Sequence, residues 1–177
     1  MTPKPKLKDQ TMHLTPAWEY VSDTVMGGVS SGEIKTEKVA ERLATRLTGR
    51  VSLQNNGGFL QMAFDLHSDA HPFNASEWSG IEIDVYGNGE AYDIRLRTDQ
   101  LARPWQSYRT AFIASETWTT FQLPFDDFDP HRTEIQFDPH RLKRIGILAI
   151  GRVFDVDIAV SAIKLYRDAR ASSYPDV

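Results

Sequence analysis

The chain contains no cysteine. Disulfides and thiolate chemistry are therefore excluded, and the composition fits a reducing compartment. There is no excess of positive charge either. Twenty Lys and Arg stand against 24 Asp and Glu, a net charge of −4. Counterion-release binding needs a basic face, so a general nucleic-acid or anionic-membrane binder is not expected. No run approaches the roughly 18 apolar residues of a membrane helix. Residues 1–14 are rich in Lys and Pro, with no apolar stretch and no Arg. They read as neither a secretory signal nor a mitochondrial presequence. The expectation from these absences is a cytoplasmic protein.

Catalytic signatures are missing as well. There is no nucleophile elbow, no phosphate loop and no Gly-x-Gly-x-x-Gly fingerprint. Carboxylates are plentiful, but no two stand in a recognisable acid/base setting. His13, His67, His71, His131 and His140 all fall in predicted loops or termini. Asp65, His67, Asp69 and His71 would project to one side of an extended chain, yet no Cys or distant partner completes a metal site. A solvated strand end is the preferred reading. The expectation is a protein that is not an enzyme, with no cofactor and no metal.

What is present is a succession of strands. At 177 residues and 41% hydrophobic, the chain suits one domain with a substantial core. Residues 81–86 and 92–97 both alternate with period two, the mark of half-buried strands. Read as a hairpin across Gly87-Asn88-Gly89, they bury Ile81, Ile83, Val85, Tyr92, Ile94 and Leu96. Glu82 and Asp84 then share the polar face with Arg95 and Arg97. Residues 108–114, 119–123 and 145–150 also read as strands, and 38–47 is read as strand in preference to helix. In 154–166 the alternation slips one residue out of phase, which predicts a bulge near Ser161-Ala162. Asp138 is placed to cap a short turn begun by Pro139. Nine or ten short strands argue an all-β sandwich. Residues 1–14 are expected to be a flexible arm, 15–167 the domain, and 168–177 a disordered tail. Phe128-Asp129-Pro130-His131-Arg132 recurs as Phe137-Asp138-Pro139-His140-Arg141 and reads as two Phe-anchored Asp-Pro turns.

Two glycine-rich stretches stand out. Trp18 leads into Asp23-Thr24-Val25-Met26-Gly27-Gly28-Val29-Ser30, and Val51-Ser52-Leu53 leads into Asn55-Asn56-Gly57-Gly58-Phe59. The second carries a strong hairpin signal. Turn chemistry accounts for both: Asp23 accepts from turn amides, and the glycines permit positive φ or close approach. A ligand or partner patch built from Asp23, Asn55 and Asn56 is the less favoured reading. With Leu96-Arg97-Thr98-Asp99, Leu123-Pro124-Phe125 and Ile145-Gly146-Ile147-Leu148, these stretches resemble the complex I intermediate-associated protein family, assembly factors of the respiratory NADH dehydrogenase. The resemblance spans roughly residues 15–167. It implies a jelly-roll β-sandwich of the galactose-binding-like, carbohydrate-binding-module type. It also implies a chaperone-like, non-catalytic role with protein partners, such as respiratory-complex subunits or assembly intermediates. With no presequence read in residues 1–14, it implies a bacterial cytoplasmic member, peripheral to the inner membrane only through a partner. Trp18, Asp23, Met26, Gly27, Gly28, Ser30, Asn55, Asn56, Gly57 and Gly58 form its motif and are expected to be structural.

The expected working surface lies downstream. Arg95, Arg97, Asp99, Arg103, Trp105, Tyr108 and Arg109 combine forked donors with aromatic faces suited to a protein partner. The bland alternative is cross-strand neutralisation of the arginines by Glu82 and Asp84. A carbohydrate-binding module using Trp105, Tyr108, Arg95 and Arg97 is the second functional reading. It predicts a shallow groove with exposed aromatics.

Overall fold

The alternating stretches form two antiparallel sheets in the computed structural model, which describes residues 10–69 and 71–168. In the first sheet the order is β3 (Ser31–Val39), β4 (Arg42–Val51), β12 (Phe154–Arg167), β6 (Gly80–Tyr86), β9 (Thr119–Pro124). β1 (Gln10–His13) pairs with the end of β12, beyond the residues that β4 covers. The second sheet runs β10 (Asp129–His131), β8 (Ser107–Ile113), β7 (Ala91–Thr98), β11 (Leu142–Ile150), β5 (Phe59–Asp65), β2 (Glu19–Ser22). Among the described residues the helical segments are all short 3-10 turns.

The sheets pack face to face. Leu47, Val51, Ile81, Ile83, Val85, Ile158 and Leu165 come from one inner face; Leu60, Met62, Phe64, Ile94, Leu96, Ile145 and Ile147 come from the other. Each such side chain contributes about 1.5–3 kcal/mol when fully buried. The sandwich expected from the sequence is the observed fold.

The pairing differs from expectation in two places. Residues 81–86 and 92–97 do not form a hairpin: β6 pairs with β12 and β9, and β7 with β11 and β8. Gly87-Asn88-Gly89 carries the chain between sheets. The two apolar rows meet across the core instead of side by side, which satisfies the same alternation. Consequently Glu82 and Asp84 lie on the opposite outer face of the sandwich from Arg95 and Arg97. Glu82 meets Lys164 at 3.4 Å, and Asp84 accepts a hydrogen bond from Thr120 Oγ1–H. Asn55-Asn56-Gly57-Gly58 is likewise a passage from β4 in one sheet to β5 in the other.

β4 pairs back on β3 through Ala40 and Glu41, both at positive φ (43° and 73°). Such a two-residue turn ordinarily uses Asn or Gly, so the sequence did not announce it. The register of β12 against β6 shifts between Val160 and Ala162, where the bulge was expected. Asp138 accepts from the His140 amide at 2.9 Å and caps Pro139–Arg141. Of the Phe-Asp-Pro repeats, the second is this turn, but the first is edge strand β10. Within the stretch read as an arm, Gln10–His13 is strand; residues 1–9 and 169–177, the rest of the arm and most of the tail, lie outside the described residues.

Candidate binding groove

The family-motif turns are tied together by one carboxylate. Asp23 is fully buried. Its oxygens accept from Ser30 N–H (3.1 Å), Ser30 Oγ–H (2.5 Å), Gly58 N–H (2.6 Å) and Phe59 N–H (3.2 Å). Burial alone would raise its pKa; these four donors, the Ser30 hydroxyl foremost, outweigh it and hold the carboxyl below the usual range. Cβ atoms on Gly28 or Gly57 would lie 2.4 and 2.5 Å from that carboxylate, so close approach dictates glycine at both. Gly27 (φ 88°) closes the 3-10 turn Asp23–Met26, and Asn55 Nδ2–H donates to its carbonyl at 3.2 Å. Trp18 packs edge-on against Phe64. Asp23 therefore has no exposed surface for a ligand. What the brace presents outward is Met26, 61% exposed, and Asn56.

On the outer face of the second sheet a second buried carboxylate organises the arginines. Asp93 accepts from Arg95 (2.8 and 3.1 Å) and from Arg109 (2.9 Å at each oxygen). Burial pushes its pKa up, and the two guanidiniums override this and lower it. The neutralising partner is thus two residues away on the same strand face, not Glu82 or Asp84 across a hairpin. Arg97 Nε–H and Nη2–H donate to the carbonyls of Gln106, Leu101 and Arg103, which holds the 99–106 loop back over the sheet. Asp99 is clamped by Arg141 at 2.6 Å.

Tyr108 departs from expectation. It is on the core face, with no exposed surface, and its hydroxyl donates to the Ile135 carbonyl. It shares the phase of Phe112 along β8, and that phase points inward. Trp105 stays 57% exposed, with the Arg103 guanidinium 6.0 Å from its ring centre.

These two regions meet. Met26 and Asn56 to Gly58 form one wall of a groove of about 470 Å3, Pro104 and Trp105 with Arg132 form another, and Phe59, Gln61, Arg95, His131 and Leu148 lie between them. Asn56, Met26, Arg95 and Trp105 come from the two stretches singled out in the sequence. Phe59, Gln61, His131, Arg132 and Leu148 were missed. For His131 and Arg132 a signal existed in the first copy of the repeat. For Gln61 and Leu148 it was only their alternation phase. Burial, then the charges of Arg95, Arg132 and Arg109, keep the His131 pKa below that of an ordinary histidine, with Asp93 opposing. The groove can stack on an aromatic face, bury apolar groups and offer guanidinium donors. It assembles no nucleophile and base.

The Asp65–His71 stretch does not converge. Asp65 binds Arg144 at 2.9 Å, Asp69 binds His71, and His67 lies against Phe73. Among the described residues no group of three or more acids or histidines is placed to hold a metal ion.

A family model decides the lineage: complex I intermediate-associated protein 30 (CIA30) matches residues 7–162. The chain belongs to the CIA30 family. No curated protein sequence matches it significantly. Among solved structures, this CIA30 chain is similar to the family 11 carbohydrate-binding module of the cellulase Lic26A-Cel5E of Clostridium thermocellum, with a TM-score of 0.67, 13% identity, and 89% of this chain and 94% of that one covered. The family 11 module of that organism in complex with a β-1,3-1,4-mixed-linked tetrasaccharide is similar at TM-score 0.64 and 16% identity, over 88% and 94% of the two chains. So is the family 30 module of its cellulase Cel9D-Cel44B, at 0.64 and 16%, over 92% and 99%. At such identities the likeness establishes the CIA30 chain's sandwich fold and nothing of its ligand. Among the described residues no helix is long and apolar enough to cross a membrane.

Proposed function

We propose that the protein is a non-catalytic binding domain that assists assembly of the respiratory NADH dehydrogenase, and that the groove under Trp105 receives its protein partner. Family membership supports the assembly role. The observation that carries the site is Trp105 itself, a large aromatic left open beside Arg95 and Met26, in the manner of an interface anchor. The domain would act in the cytoplasm or at the inner membrane through that partner. The test is cross-linking capture from native membranes with the wild-type chain and Trp105→Ala. Recovery of respiratory-complex subunits by the wild type and their loss in the variant is the expected result. Capture of no such subunit by either protein rejects the assembly role.

A second reading draws on the fold. The three solved structures described above are carbohydrate-binding modules, one in complex with a tetrasaccharide, and the exposed Trp105 meets the requirement for an open stacking face. Titration with mixed-linked β-glucan oligosaccharides separates the two: saturable Trp105 fluorescence quenching favours this reading, and a flat response removes it.

A further inference from the structure

Beside the groove, beneath Pro104 and Trp105, lies a smaller notch of about 60 Å3. That exceeds the roughly 10–15 Å3 one water needs and suits a group of a few atoms. Its floor is Gly146, the central residue of the outer face, flanked by Arg95 on β7 and Ala63 on β5. Gln61, Arg95, Arg97, Arg144 and Ser107 line it. Two features lack an internal explanation. Ser107 is buried, 4% exposed, and its Oγ has no hydrogen-bond partner; a buried hydroxyl left unmatched is costly. Arg97 donates only to neutral carbonyls and makes no ion pair among the described residues.

The charges around the notch do not cancel. Arg95 and Arg109 share Asp93; Arg144 faces Asp65 and Glu19, each at 2.9 Å. Counting Arg97, four guanidiniums face three carboxylates. Burial and the charge of Arg144 hold the Arg97 pKa down, with Asp65 partly compensating. A negative group in the notch would relieve that repulsion and match the idle hydroxyl.

We propose that this notch is an oxyanion site, in which Arg97, Arg95 and Arg144 supply the positive field, Ser107 Oγ–H donates a hydrogen bond, and Gly146 leaves the room. Guanidinium forks suit both planar carboxylates and phosphates. The oxyanion is either the carboxylate of an acidic partner side chain lying in the groove, which rests on the partner-binding reading above, or a free phosphate, which does not.

The test uses the full chain at constant ionic strength in chloride, titrated with inorganic phosphate and with acetate and followed by thermal shift and calorimetry. Saturable stabilisation by either anion, beyond chloride, is expected. Tighter phosphate binding points to a free phosphate ligand, and tighter acetate binding to an acidic side chain. Gly146→Ala fills the notch; its Cβ would displace the flexible end of Gln61, whose Nε2 lies 2.4 Å away, and would sit 3.3 Å from the Ala63 Cβ. Ser107→Ala removes the unmatched hydroxyl and keeps the fold, with an apo melting temperature equal to or above wild type. Both variants should weaken anion binding by about 10-fold or more. Equal stabilisation of wild type and both variants, or none in any of them, overturns the site. Partner capture lost in Trp105→Ala but retained in Gly146→Ala would leave the groove standing and remove the acidic-side-chain source, while failure of capture in wild type leaves the anion titration to decide by itself.

Discussion

The two outer faces of the sandwich each carry paired arginines and a prominent tryptophan, yet they use them differently. On the first sheet Trp118 is consumed by the protein. It meets Tyr86 edge-on at 5.6 Å, lies under the Arg42 guanidinium and donates its indole N–H to the Val39 and Ala40 carbonyls. Arg46 there has two exposed-side partners, Asp157 and Glu37. On the second sheet Trp105 makes one loose contact with Arg103 and none of the described hydrogen bonds. Of the arginines near it, Arg95 shares one buried carboxylate with Arg109, and Arg97 donates only to backbone carbonyls. One face is a finished surface and the other retains unused donors, stacking area and volume. The teaching is that residue type did not separate them; the completeness of each side chain's partners did.

The largest contrast to break is between the acids. Asp93→Asn leaves Arg95, 15% exposed, and Arg109 without their carboxylate. A loss of about 3–5 kcal/mol is expected by urea denaturation. Glu37→Gln on the first face leaves Arg46 still paired to Asp157 and should cost under about 1 kcal/mol. Equal losses would mean that the second face is no more committed than the first.

Asp23→Asn comes next, at about 3 kcal/mol, because an amide cannot accept from all four donors and turns two of its own against them. It should also loosen the Met26 wall. The acid dependence of both carboxylates follows from their depressed pKa values. Folded values lie below the unfolded value of about 3.9, so their stabilisation is complete above that pH and is lost as pH falls through the folded values. Stability measured against pH below about 4 should therefore decline less steeply in Asp93→Asn than in wild type.

Much of this fold was legible in the alternation of Ile81-Glu82-Ile83 and Tyr92-Asp93-Ile94-Arg95. Which face was buried could be read, but not which strand stood beside it, because a period of two specifies facing and is silent on neighbours. That is why Glu82 was matched to Arg95 when each belonged to a different sheet. The partner in reality, Asp93, was visible at i−2 on the same face. Tyr108 was misplaced for a similar reason. Its aromatic chemistry was weighed, while its phase with Phe112 was not. Trp105 was legible as an open aromatic because it stands in the Arg103-Pro104-Trp105 loop, outside any alternating strand, and it is exposed. The convergence of Met26 with Trp105 was not legible, since it depends on Arg97 folding the loop over the sheet through backbone carbonyls.

The tryptophans give the next test. Trp118→Ala should cost about 1.5–3 kcal/mol through lost burial and its cation–π contact. Trp105→Ala should change stability by less than about 0.5 kcal/mol and weaken partner binding at least 10-fold. A Trp105→Ala protein as destabilised as Trp118→Ala would make the groove a structural seam.

The smallest expected effect sharpens the comparison through pH. His131 faces Arg95, Arg109 and Arg132 with only Asp93 opposing, and its pKa is lowered. The unfolded chain takes up this proton near pH 6.5, before the folded groove does. Stability should therefore be unaffected by His131 above about pH 6.5, fall as pH drops toward the folded value, and level off below it. His131→Gln should remove that component while leaving stability at pH 8 close to wild type. A profile insensitive to His131→Gln would mean that the groove's positive field is already screened by water, and that its arginines matter for shape more than for charge.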